Sequence, residues 1–185
     1  MLGAAAVRAK VRDAVLADAA DVASIGKVAI PETLRGIVDP VVLTNIVEQS
    51  YSIEALQNCI AHCRDASDAH FIVAEMDGRV VGFLHYDGEG PEPELHRIYI
   101  EPGLKRRGIG SALLRELHER LSQGASYILM VIAANLPAVT FYQRHDFVEE
   151  ARVDGPTYMS EHMGVSYPSR TRPAPALVLR FTKSS

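Results

Sequence analysis

The sequence predicts an α/β (α+β) chain built on a mixed sheet, and three features carry that expectation. "HFIVAEM" and "VVGFLHYD" are apolar runs on either side of Asp77-Gly78, a pair suited to a two-residue hairpin turn. From Leu95 to Val153 the pattern then alternates strand, helix, strand, helix, strand. Within it, "SYILMVI" is an apolar run, as in a strand covered on both faces. An antiparallel hairpin together with crossover helices gives a mixed sheet.

Each element has a local cause. "AKVRDAV" alternates enough for a first strand, and Asp18 is placed to cap a helix over Ala19 to Ile30 that stops at Pro31. "DPVVLTNIVEQS" is a second helical stretch, with Pro40 at an early helical position. Ser52 precedes a third helix, Ile53 to Cys63, with Glu54 in the first turn where the helix dipole favours an acid. The hairpin follows, then the turn "GEGPEPE" and a strand from Leu95 to Ile100. A helix over Gly108 to Leu121 places Ile109, Leu113, Leu117 and Leu121 in one apolar stripe. After "SYILMVI" come a helix from Leu136 to His145, the strand "FVEEARV" and the closing strand "ALVLRF". The segment 155–175 holds prolines and glycines without a period and is expected to be a long loop. No repeat or boundary interrupts residues 1–185, so one domain is expected.

Composition narrows the function. The chain is 48% apolar and 23% charged, as soluble globular proteins are, and its net charge of -4 implies no general affinity for nucleic acid. No apolar run approaches the ~20 residues that span a bilayer, and "MLGAAAVRAK" lacks a signal-peptide core. A cytoplasmic location without membrane association is expected. Cys59 and Cys63 stand on one helical face with His62 between them. They lack a fourth ligand and the usual paired spacing, so buried thiols are expected and no metal.

The turn "EPGLKRRGIGS" has the features of an anion site. The first turn of the helix that follows leaves its amides without helical acceptors, and its dipole favours negative charge. Gly108 and Gly110 allow close approach of a phosphate to the main chain, and Lys105, Arg106 and Arg107 add positive charge. A bare glycine pair also occurs in turns that bind nothing. No G-K-[ST] and no third glycine follow, which excludes a Walker loop and a dinucleotide fingerprint.

Lys105-Arg106-Arg107-Gly108-Ile109-Gly110 resembles [QR]-x-x-G-x-[GA], the acetyl-CoA-binding signature of the GNAT superfamily of N-acetyltransferases, with Lys105 in place of Gln or Arg. "NLPAVTFYQRHDF" resembles the second signature of that superfamily, matching at Asn135, Ala138, Phe141, Tyr142 and Phe147. Asp146 stands where the family usually has Gly. The resemblance covers about Ala9 to Val153 and extends weakly to the spermidine/spermine acetyltransferase branch.

The resemblance implies a GNAT-like sheet whose fourth and fifth strands splay to admit acetyl-CoA as co-substrate. Backbone of Ile98, Tyr99 and Ile100 would pair with the pantetheine arm. The turn from Lys105 through Arg106, Arg107, Gly108, Ile109 and Gly110 to Ser111 would hold the pyrophosphate, with Asn135 contacting pantetheine from the far side. The implied reaction is acetyl transfer to a primary amine, a small molecule or a peptide, without a covalent enzyme intermediate. An ammonium must lose a proton before it attacks, so a base is needed. Strand alternation would place Glu94, His96, Ile98 and Ile100 on one face, with Glu94 and His96 in the cleft. Their positions correspond to the paired histidines of some arylalkylamine acetyltransferases in the superfamily. Tyr142 would protonate the departing thiolate. The competing readings are a strand-end His96 and an ion-paired Glu94 of structural value only, and a non-catalytic acyl-CoA sensor. Glu89, Glu92, Glu94 and Glu101 are either an attraction for a cationic amine or solvated charge. His70, His85, His118, His145 and His162 receive no role. A homodimer is the commonest oligomer for such a chain.

Overall fold

The structure, a computed structural model, describes residues 9–155, 158 and 175–184. Its strands are β1 (Lys10–Asp13), β2 (Ala69–Met76), β3 (Arg79–Asp87), β4 (Glu94–Ile100), β5 (Ser126–Ile132), β6 (Val148–Val153) and β7 (Ala176–Thr182). Its helices are α1 (Ala19–Thr33), α2 (Pro40–Ser50), α3 (Ile53–Asp65), α4 (Ile109–Arg120) and α5 (Leu136–Gln143). The strands form one mixed sheet in the order β1-β2-β3-β4-β5-β7-β6. Helices α1 to α3 cover one face, where Val22, Ile30, Ile46 and Leu56 pack on Phe71, Val73 and Phe83. Helices α4 and α5 cover the other, with Leu113, Leu114, Leu117 and Val139 on Ile72, Leu84 and Leu129. Among the described residues no helix is long and apolar enough to cross a membrane.

The expected hairpin is β2–β3. Asp77 and Gly78 both take positive φ, 52° and 75°, as the two-residue turn requires. The Asp39 carboxylate accepts from the Val41 amide at 2.8 Å and the Ser52 hydroxyl from the Ala55 amide at 3.1 Å, capping α2 and α3. Asp146 has φ 67°, so the turn before β6 keeps a glycine-like backbone, which aspartate tolerates.

Two local expectations are corrected. Helix α1 continues through Pro31 to Thr33, because the φ of proline is itself helical and its missing amide forfeits a single hydrogen bond. Asp18 does not cap α1 with its side chain. Its carboxylate instead accepts from the Val15 amide at 2.8 Å and from Arg12 at 2.7 and 3.0 Å. An arginine from a neighbouring strand outcompetes the cap. Of the loop expected over 155–175, all but Gly155, Tyr158 and Pro175 lies outside the described residues.

Behind α4, His118 stacks on Phe181 at 3.9 Å between ring centroids and hydrogen-bonds the Tyr127 hydroxyl at 2.8 Å. Burial first, then the nearby His145 and Lys183, lower its pKa from 6.5 to about 4. A histidine depressed by folding leaves stability intact above its unfolded pKa, and that contribution is lost as pH falls. The melting temperature is therefore expected to drop as pH is lowered from about 6.5 to about 4, and His118→Gln to make the drop shallower. Thermal unfolding across that pH range checks it; parallel curves for the two proteins contradict it.

Candidate functional site

The sheet opens at its centre. Every other neighbouring pair is antiparallel and zipped along its length, but β4 and β5 run parallel and pair only at Glu94 and Ile128. Beyond that point they diverge around a cleft of about 1300 Å³. The Glu101 amide donates to the Val81 carbonyl at 2.9 Å, so the antiparallel alternation turns Tyr99 towards β3 as well. Ile98 and Ile100 consequently present their backbone N–H and C=O groups to the open edge.

At one end of the cleft lies the N-terminus of α4. Arg106 has φ 65° and Gly108 φ 80°, both left-handed. Left-handed residues in such a turn direct successive amides into a concavity, a main-chain anion nest. The free amides of the first turn of α4 extend it. Lys105, Arg106, Gly108, Ile109, Gly110 and Ser111 all line the cleft, whereas Arg107 is exposed and does not. Lys105 Nζ reaches Glu32 and Thr33 at the end of α1, each at 3.3 Å. The Ser111 hydroxyl meets His145 Nε2 at 2.9 Å, so His145 also borders the nest.

The role of Gly110 differs from the sequence expectation. A Cβ there would meet the Phe141 ring at 3.1 and 3.4 Å. The missing side chain lets α4 and α5 approach, and what a phosphate meets here is backbone. Gly108 is required for its positive φ, with open space around it.

Tyr142 of α5 is buried at the cleft wall, with its ring 5.4 Å from that of Phe147. Burial, and then Tyr158, push its pKa well above the usual tyrosine value, so the hydroxyl keeps its proton at neutral pH. Asn135 is buried, lines the cleft, and caps α5 by accepting from the Ala138 amide at 3.4 Å.

Glu94 and His96 also line the cleft, His96 Nδ1 lying 3.8 Å from Glu94. The expected single face does not hold. His85 pairs with Arg97 and Tyr86 with Leu95, so His96 is the extra residue of a β-bulge. After it the alternation is inverted. Leu95, Ile98 and Ile100 pack on the α4 side, while Tyr99 faces the α1–α3 side. His96 faces that second side too, its ring 5.0 Å from His85, which stacks on Phe71.

The bulge gathers side chains left without a role by sequence reasoning. His85, Arg97, Tyr51, Tyr99 and Tyr158 line the α1–α3 side of the cleft. Tyr51 lies against Gly26 of α1, where a Cβ would sit 2.2 Å from its ring. Burial, then the charge of Arg97, hold the His85 pKa well below its usual value, so His85 is neutral. A histidine on a strand otherwise apolar inward was the available signal for it. Neither cysteine lines the cleft: Cys63 is buried and Cys59 partly so. Among the described residues no His, Cys, Asp and Glu cluster could hold a metal. Glu89 bonds Ser67, Glu92 pairs with Arg180 and Glu101 with Arg79, leaving Glu94 as the member of that acidic group that faces the cleft.

Residues 67–149 match the family model described as an acetyltransferase (GNAT) domain. The segment from β2 to α5 is thus a GNAT domain by that match. It is 27% identical over 132 residues to the spermidine N(1)-acetyltransferase of Thermoplasma acidophilum, covering 70% of this chain and 81% of that protein. It is 33% identical over 94 residues to an uncharacterised N-acetyltransferase of Methanocaldococcus jannaschii, covering 46% of this chain. That match spans less than half, 42%, of the Methanocaldococcus protein. The fold superposes on the PaiA N-acetyltransferase of Thermoplasma acidophilum, crystallised with coenzyme A, with TM-score 0.74 and 20% identity. That superposition covers 96% of this chain and 99% of the other. The parted β4 and β5 thus belong to the GNAT fold, as do the α4 turn and α5.

Because Gly110 faces Phe141, Gly110→Val in this GNAT domain should cost about 1–3 kcal/mol of stability through overpacking. Phe141→Leu in the same chain should recover part of the loss. Denaturant unfolding of the single and double variants measures it; additive losses would show that the two sites do not touch.

Proposed function

We propose that this GNAT chain is an acetyl-CoA-dependent N-acetyltransferase that acts on a primary amine by direct attack, with no covalent enzyme intermediate. One observation carries the reading: an unpaired strand edge, a main-chain anion nest and a protonated buried tyrosine all face a single cleft. Spermidine acetylation by the Thermoplasma relative and coenzyme A in its PaiA structure support it.

The residues present fit the co-substrate. Ile98 and Ile100 offer backbone groups to a pantetheine arm, with Tyr99 between them, and Asn135 stands across the cleft. The amides from Arg106 to Ser111 receive the pyrophosphate, with the side chain of Arg106 beside them. Acetyl-CoA supplies a thioester carbonyl for acyl transfer. Glu94 or His96, directly or through water, takes a proton from the acceptor ammonium and so exposes the attacking lone pair. The Tyr142 hydroxyl holds the proton that the departing sulfur requires. In the net change an N–C bond forms and the C–S bond breaks. The nitrogen gives up two protons, of which sulfur takes one and solvent the other. Cys59 and Cys63, outside the cleft, take no part.

Acetyl-CoA should stabilise the protein by about 2.7 kcal/mol at a hundredfold excess over Kd, and ATP much less. A melting temperature raised by ATP and not by acetyl-CoA would reject the assignment of the nest. Tyr142→Phe removes a hydroxyl and almost no volume. Turnover should fall roughly 10²-fold or more while acetyl-CoA affinity stays nearly constant. Steady-state kinetics beside a calorimetric titration separate the two effects. A wild-type kcat in the variant would assign the proton to water or another group.

A further inference from the structure

The acyl-transfer chemistry leaves Arg97, a charged residue of the cleft, without a task. Arg97 is partly buried on the bulge face of β4. Its Nε donates to His85 Nδ1 at 3.3 Å, Nη1 to the Ser50 carbonyl at 3.1 Å, and Nη2 contacts Cys59 Sγ at 3.5 Å. The guanidinium carbon lies 5.1 Å from the centroid of the Tyr51 ring. None of these partners is a carboxylate. Among the described residues no carboxylate comes within ion-pair distance of Arg97. Arg12, Arg64, Arg79, Arg120, Arg152 and Arg180, by contrast, each pair with an aspartate or glutamate. Among the described residues Arg35, Arg106, Arg107, Arg115 and Arg144 have no carboxylate within ion-pair distance either, but they are exposed to water, as Arg97 is not. A cation drawn out of water is costly unless an anion compensates it, and a ring face and a carbonyl recover only part of that cost.

The surroundings of Arg97 are accessible from the cleft, since Ser50, Tyr51, His85 and Arg97 all line it. His85 accepts from Arg97 through Nδ1 and is neutral, which leaves its proton on Nε2 as a further donor. His85 is thus a positioning residue that fixes the plane of the guanidinium. Three positions back on the same strand is Glu94, with His96 beside it. Three residues of strand span roughly 10 Å at most, and less across a bulge. The cleft wall therefore presents a carboxylate and an uncompensated guanidinium within reach of one small molecule.

We propose that the acceptor is a small primary amine that also carries a carboxylate, its nitrogen at Glu94 and His96 and its carboxylate on Arg97. This rests on the acetyltransferase reading above. A polyamine would instead bring further positive charge against Arg97.

The experiment uses matched acceptors: the common amino acids, β-alanine and γ-aminobutyrate, each beside its carboxamide and its decarboxylated amine. Spermidine and a peptide with a free N-terminus are included, and CoA release is the readout. For the preferred acceptor, kcat/KM should exceed that of its amide by roughly 10²-fold, the range for loss of a charge-assisted contact. Arg97→Gln should raise KM for the acid by a similar factor with kcat little changed, and bring acid and amide within a few fold. Arg97→Lys should retain part of the preference. Thermal stabilisation by acetyl-CoA reports that each variant is folded; if the Gln variant does not fold, the wild-type acceptor series decides alone. Equal rates for acid and amide, or a preference for spermidine or the peptide, overturn the acceptor class and leave the acetyltransferase reading standing. Acetyl-CoA binding without CoA release from any member also overturns the acceptor class. Absence of both binding and release overturns the two readings together.

Discussion

The rest of the site depends on β4 and β5 meeting at one residue pair and then parting. A parallel pair left unzipped exposes backbone groups that a closed sheet would satisfy, and the open edge at Ile98 and Ile100 is the result. The separation persists because each half of the sheet is complete without the other. β1 to β4 form an antiparallel meander, and β5, β7 and β6 form a second antiparallel set with β5 fully paired to β7. Helices α4 and α5 pack from the far face, Leu113 and Val139 sharing one apolar cluster. A ligand that adds strand-like hydrogen bonds completes the sheet without displacing a native pair.

The bulge at His96 decides the character of the two sides. Without it, Glu94 and His96 would share a face with Ile98 and Ile100, and Arg97 would lie beneath α4 among leucines. With it, polar and ionisable groups collect on the α1–α3 side, where Tyr51, Tyr99, His85 and Arg97 form one wall. Aliphatic side chains of Ile98 and Ile100 stay on the α4 side. The division separates what would recognise an acceptor from what would hold a CoA arm. An extra strand residue also explains how His96 and Arg97, adjacent in sequence, reach the same side.

Backbone conformations that favour glycine shape two turns near the nest. Gly108 and Arg106 shape the nest before α4, and Asp146 shapes the turn after α5. Arg106 and Asp146 hold φ values costly for side-chain-bearing residues, of order 1 kcal/mol each, and the packed helices on either side sustain them. Gly110 and Gly26 serve a different end. They let Phe141 and Tyr51 pack closely on helices, fixing α5 and the wall that carries Arg97.

Short-range chemistry made much of the fold legible in the sequence. Asp77-Gly78 set the hairpin, Asp39 and Ser52 set helix starts, and the apolar runs set the strands, because each depends on neighbours a few residues away. The turn from Lys105 to Ser111 was legible as a helix N-terminus, which follows from local pattern, whereas Asn135 and Tyr142 stood out only through their resemblance to a family signature. Asp18 misled because an arginine six residues earlier claimed its carboxylate, and Pro31 because the φ of proline is itself helical. The parting of β4 from β5 was expected only through the family resemblance, and the tertiary structure alone decided the bulge at His96 and the company of Arg97. Each is set by hydrogen-bond register between strands or by side chains distant in sequence, such as Tyr51 and His85. A change of one residue in register inverts every face beyond it, and no composition or period along a single strand records that change.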